Sequence, residues 1–157
     1  MVETKYGKYI ITDYSGRPES DCRDEDEFLK MLPKISVPVA YLDNNKVNGS
    51  FYAECMWFHT ASDSQVEPHT HDFDEILAFF GSNPKDYHDL CGEVELWLGD
   101  EKHILTKSCM VFIPKGLTHC PMILRRIDKP IFHFSAGPAA LYDKNKRNPV
   151  NNNRADI

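Results

Sequence analysis

The side chains with the clearest chemical potential lie in Pro68-His69-Thr70-His71-Asp72-Phe73-Asp74-Glu75. Written as an extended strand, positions 69, 71, 73 and 75 share parity and project to one face. His69, His71 and Glu75 then offer two imidazoles and one carboxylate to a single point. That is a ligand set for a first-row divalent metal, with room for another protein ligand. A further histidine closes the stretch Val111-Phe112-Ile113-Pro114-Lys115-Gly116-Leu117-Thr118-His119. An apolar run ends there at Pro-x-Gly, where Pro114 presets φ and Gly116 permits a positive φ. A turn of this kind can return His119 over the first motif from a neighbouring strand.

Together the two stretches resemble the motifs of the cupin superfamily. The first of these motifs reads His-x-His, then Glu, then a later glycine; the second reads Pro-x-Gly-x-x-His. In this chain they are His69-Thr70-His71, Glu75 and Gly81, followed by Pro114-Lys115-Gly116-Leu117-Thr118-His119. The resemblance covers roughly residues 50 to 135 and draws its specificity from two spaced motifs. It implies His69, His71, Glu75 and His119 as metal ligands, a jelly-roll barrel and a homodimer. Departures from the pattern fall on turns and not on ligands. Gly81 stands one residue closer to the glutamate than usual, Asp63 and Ser108 replace opening glycines, and Ile123 replaces an asparagine.

Three imidazoles and a carboxylate suit iron, manganese, nickel or zinc as divalent ions and disfavour magnesium or calcium. Structural zinc leans on thiolates and closed tetrahedra, and no cysteine accompanies this set. A six-coordinate ion keeps two positions for water or a chelating substrate. The substrate expected is therefore small and oxygen-rich: a hydroxy-ketone, enol, carboxylate or sugar derivative. Two functional classes follow. One is a metal-dependent enzyme with dioxygenase, isomerase, lyase or hydrolase chemistry. The other is a non-catalytic, metal-containing cupin that binds or senses a small molecule. The intact ligand set favours the enzyme. His59, His133, Tyr87 and His88 are the acid–base candidates, as groups able to line the cavity or its lid. Cys55, Cys109 and Cys120 read as small core residues. Cys120 should also point away from His119, because adjacent strand residues face opposite sides.

The 157 residues make one domain's worth of chain. They divide into an N-terminal arm and short helix (1–34), a cupin β-barrel (35–136) and a tail (137–157). Strands are expected over residues 5–14, 35–42, 51–60, 76–80, 92–98, 101–105, 109–113 and 131–135, with Pro38 marking an edge or bend. A helix is expected over 24–32, stopped by Pro33, and a short helical turn over 139–143. Residues 82–91 form a loop, either a lid over the barrel mouth or a solvated surface segment. The fold class is all-β, a cupin jelly roll with one or two short helices at the ends.

Apolar residues at 41% argue against global disorder. With a net charge of −6 and no basic cluster, nothing advertises a nucleic-acid or anionic-membrane surface. No apolar run approaches the roughly 20 residues of a membrane helix, and the first residues lack a signal-peptide core. Five scattered cysteines without a Cys-x-x-Cys pair fit reduced thiols in a cytoplasm.

Overall fold

The structure, a computed structural model, describes residues 4–17, 30–63 and 66–140. Among the described residues eight strands carry the fold: β1 (Ser36–Leu42), β2 (Tyr52–Phe58), β3 (Glu75–Gly81), β4 (Asp89–Leu98), β5 (Glu101–Lys107), β6 (Cys109–Ile113), β7 (His119–Ile127) and β8 (Ile131–Gly137). They form two antiparallel sheets, ordered β1-β2-β8-β3-β6 and β5-β4-β7. From β3 onward the chain crosses repeatedly between the sheets, as a jelly roll does.

Alternation along the strands sets the core. Met56, Phe58, Leu77, Phe79, Val94, Leu96, Met122 and Leu124 are buried between the sheets. Gly81 lets the end of β3 meet the start of β4, because a Cβ there would lie 1.9 Å from the Asp89 carbonyl oxygen. The strands of the larger sheet carry Glu54 and Glu75 as their only Asp, Glu, Lys or Arg residues, and both turn inward to line a cavity. The outward face is apolar, with Val37, Trp57, Phe132 and Phe80 in register across four strands.

Several expectations change. Residues 5–14 are not a strand; they include a 3-10 turn at Gly7–Tyr9. Strand propensity reflects fit to a pleated surface, and this arm has Tyr6, Tyr9 and Ile10 exposed. It touches β1 where Tyr41 N–H donates to the Asp13 carbonyl at 3.1 Å. Most of the expected 24–32 helix lies outside the described residues. Residues 30–35 are helical, so Pro33 does not stop the helix. It ends where the Ser36 hydroxyl donates to the Leu32 carbonyl at 2.7 Å. Residues 141–157, including most of the turn expected at 139–143, lie outside the described residues.

The loop after Gly81 is not a lid. Ser108 ties it to the β5–β6 connection, donating its backbone N–H to the His88 carbonyl at 2.9 Å and its hydroxyl to the Tyr87 carbonyl at 2.6 Å. That end of β3 lies about 20 Å from Glu75 at ~3.3 Å per residue.

Candidate metal centre

Regular strand begins only at Glu75, so His69 and His71 sit on the segment leading into β3 and not on a strand. Parity nevertheless survives: His69, His71 and Glu75 are buried, while Asp72 and Asp74 are exposed. The segment is held by hydrogen bonds to the second motif. His69 and His119 exchange both backbone hydrogen bonds, at 3.1 and 3.0 Å. Gly116 N–H donates to the His71 carbonyl at 3.0 Å, and Lys115 N–H donates to the Asp74 carboxylate at 2.8 Å. The turn is closed by Leu117 N–H donating to the Pro114 carbonyl at 3.0 Å, with Gly116 at φ +81°. A positive φ at that position is what a type II turn requires.

This seam brings the four side chains together. Ring centroids are 4.8 Å apart for His69–His71, 4.3 Å for His69–His119 and 5.1 Å for His71–His119. Glu75 Oε2 lies 3.2 Å from His119 Nε2 and 3.5 Å from His71 Nε2. All four residues are at most 5% exposed.

Hydrogen bonding to the backbone sets which ring nitrogen faces the centre. His119 Nδ1 lies 3.1 Å from the Leu117 carbonyl, and His69 Nδ1 lies 2.7 Å from the Glu67 carbonyl. A carbonyl only accepts, so each Nδ1 carries the proton and each neutral ring presents a lone pair at Nε2. At His119 that lone pair meets a carboxylate oxygen 3.2 Å away. Two buried acceptors in contact require a proton or a metal cation between them. Burial by itself would raise the Glu75 pKa. With a proton on Nε2 as well, the hydrogen bonds and charge of His119 and His71 outweigh it and hold the carboxyl at about 2. A divalent ion would serve the same donors as those protons do, and the N and O donor set fits a transition metal. The Leu117 and Glu67 carbonyls orient the rings, as outer partners of metal-binding histidines do.

The centre opens on a cavity of about 60 Å³, space for a few waters. Tyr52, Glu54, Met56 and Phe58 line its other side, which decides the facing of β2 that the sequence left open. Glu54 is the focus of that wall and was not picked out from the sequence. It accepts hydrogen bonds from Tyr14 Oη, from Arg17 Nε at 3.3 Å and from Tyr52 Oη at 3.1 Å. The Tyr52 and Ser135 hydroxyls are 2.5 Å apart. A glutamate in phase with Tyr52, Met56 and Phe58 was the available signal, but strand parity alone does not say which face is inside.

His133 joins the cavity. It packs against Phe58 and Phe79, at centroid distances of 5.2 and 4.7 Å, and its Nδ1 donates to the Ala78 carbonyl at 3.0 Å. Burial pushes its pKa below the ordinary value, against the opposing pull of Glu54, the Ala78 bond and Glu75. The ring is thus neutral, with Nε2 as an acceptor. The other acid–base candidates are not brought to the centre. His59 is exposed just beyond β2, bonded to Thr60, and Tyr87 and His88 are exposed on the loop beyond Gly81. All three occupy the end of the larger sheet opposite Glu75, because Phe58, Ile131 and Gly81 share one register row. Cys120, expected to turn away from His119, also lines the cavity.

No protein-family model and no curated protein matches the sequence. Solved structures similar to the chain include KdgF from Halomonas sp., at 18% identity over 68% of this chain and 81% of that one, with a TM-score of 0.42. An RmlC-like cupin from Shewanella frigidimarina is similar at 15% identity over 66% and 75% of the two chains, with a TM-score of 0.41. Recombinant oxalate oxidase in complex with glycolate is similar at 12% identity over 85% of this chain and 60% of that one, with a TM-score of 0.49. One of these neighbours is itself a cupin, and the two-sheet arrangement described above is an antiparallel jelly roll. At such identities the likeness is one of fold, and function has to be argued from the site.

Proposed function

We propose that this chain is a metal-dependent cupin enzyme acting on a small, oxygen-rich organic compound. His69, His71, Glu75 and His119 hold the ion, which is iron, manganese, nickel or zinc. The observation that carries the reading is the convergence of three buried imidazoles and one carboxylate, with Glu75 Oε2 3.2 Å from His119 Nε2 and 3.5 Å from His71 Nε2. When bound, the ion supplies Lewis acidity for a carbonyl or enol oxygen, or lowers the pKa of a bound water. The protein's own groups do the rest. Tyr52, Ser135 and Glu54 offer donors and an acceptor to substrate hydroxyl or carboxyl groups, and Arg17 adds positive charge to that wall. His133, neutral and buried, is the group suited to take a proton from the substrate. Met56 and Phe58 exclude bulk water. The reaction, among dioxygenase, isomerase, lyase and hydrolase chemistry, depends on which ion is resident.

The test is elemental analysis of untagged protein made without added metal. It is followed by NMR assay of a panel of small hydroxy- and oxo-acids and sugar acids, in air and without it. About one equivalent of one transition metal is expected, with turnover that His71→Ala abolishes. A chain that binds no transition metal would overturn the proposal. Ligand binding without turnover under both atmospheres would move the chain to a non-catalytic binding role.

A second copy of the chain is the proposed cover for the outer face of the larger sheet. Exposed Val37, Trp57, Ile76, Phe80, Met110 and Phe112 lie on that face, where monomers rarely leave a large apolar patch. Sedimentation should give a dimer that Trp57→Lys dissociates, and a native monomer at all concentrations would refute it. The reduced-thiol composition keeps the cytoplasm as the proposed compartment.

A further inference from the structure

We infer that Cys120 is a further, thiolate ligand of the same ion, giving the centre a sulfur donor beside nitrogen and oxygen. The inference rests on the metal reading above. Its starting point is a backbone irregularity at the head of β7. Leu98 pairs with His119 and Leu96 with Met122, so two residue steps on β4 face three on β7. One extra residue is therefore inserted, as in a β-bulge, and bulges beside active sites re-aim side chains. Cys120 takes φ +70°, a left-handed conformation uncommon for a residue with a side chain. Strand alternation is broken at this point, and Cys120 follows His119 onto the cavity wall.

The result is a second set of donors overlapping the first. The donor atoms of His69, His119 and Cys120 lie within 4.8 Å of one another, as do those of His71, Glu75 and His119. With metal bonds of about 2.0–2.3 Å, donors on opposite sides of one ion stand up to ~4.6 Å apart. His119 belongs to both sets, so a single ion beside it is within reach of both after small side-chain adjustments. The buried Glu75–His119 contact, which takes a proton or a cation between its two acceptors, puts a carboxylate oxygen beside the same ring independently of the thiol.

Charge supports the assignment. On binding, the thiol S–H bond breaks, an S–metal bond forms and the proton leaves to solvent. Thiolate and carboxylate then supply two negative charges against a divalent ion, so the buried centre is neutral overall. A thiolate also biases the site towards softer ions than manganese, with zinc, nickel and iron favoured.

Cobalt(II) is the probe, added to the reduced full-length chain, with stoichiometry from equilibrium dialysis. Ligation by Cys120 predicts a near-ultraviolet sulfur-to-cobalt charge-transfer band in the native protein. The band should persist in Cys55→Ser, whose side chain is on the outer face of the larger sheet. It should vanish in Cys120→Ser, with cobalt still bound about tenfold or more weakly. One equivalent of bound cobalt without the band, or a band that survives Cys120→Ser, would overturn the inference and leave the histidine–glutamate centre standing. Failure to bind cobalt at all would overturn both. If Cys120→Ser does not fold, the native spectrum and Cys120→Ala decide.

Discussion

Removing one hydroxyl, in Tyr14→Phe, tests whether the polar wall opposite the proposed metal centre is a built arrangement. Tyr14 Oη donates to Glu54 Oε2, and the Glu54 side chain is 10% exposed. Burial, and then the charge of Glu54, push the Tyr14 pKa well above the ordinary tyrosine range, so the hydroxyl remains a donor at any working pH. A hydrogen bond to a charged group contributes about 1.5–3 kcal/mol. Glu54 keeps Arg17 and Tyr52 as partners, which places the expected loss near the lower end, about 1.5–2 kcal/mol. For a chain of this size that lowers the Tm by roughly 3–8 °C. Urea unfolding at fixed protein concentration measures it, together with Glu54→Gln and the double variant. A coupling of about 1 kcal/mol is expected between the two sites. A Tyr14→Phe loss under ~0.5 kcal/mol, or full additivity with Glu54→Gln, would refute the reasoning. The N-terminal arm would then be only resting on the barrel.

Other substitutions probe other parts. Glu75→Gln should weaken metal binding by at least ~10-fold in equilibrium dialysis while leaving the far-ultraviolet β-sheet spectrum intact; global unfolding would instead indicate a structural centre. Gly116→Ala should cost about 1–2 kcal/mol, measured by urea unfolding. A Cβ there meets open space, so the whole penalty comes from holding φ at +81°, and an unchanged midpoint would contradict the turn. The pH response of His133 has a defined sign. Its folded pKa lies below the unfolded value of about 6.5, so as pH falls through and below that value the unfolded chain takes up a proton the buried ring refuses. Stability should therefore drop on acidification from neutral pH, and His133→Phe should flatten that part of the urea-midpoint profile. A slope unchanged by His133→Phe would mean that another group is responsible.

Legibility from sequence was greatest where function rests on spacing. The parity of 69, 71 and 75 survives although regular strand starts only at Glu75, because the first motif is paired to the second by backbone bonds at His69, His71, Gly116 and His119. Turn chemistry was legible for the same local reason: Pro114 and Gly116 carry their φ preferences wherever they stand. Tyr87, His88 and His59 were misjudged because type and reactivity say nothing about which end of a strand faces the centre. The arm at 5–14 was misjudged because aromatic, β-branched residues favour a strand only when an edge is there to pair with.

What the residues alone determined is thus the all-β architecture and the spacing that lets His69, His71 and Glu75 share a face, both written in short-range periodicity and turn preference. Tertiary structure decided the rest of the site: that Glu54 faces inward, that His133 is held neutral among aromatic rings, and that Cys120 lines the same cavity as His119. Each of these depends on contacts between segments far apart in the chain, or on one extra residue in β7 relative to its partner strand. Neither leaves a trace in local sequence, because the energy of such contacts belongs to pairs of segments and not to either one.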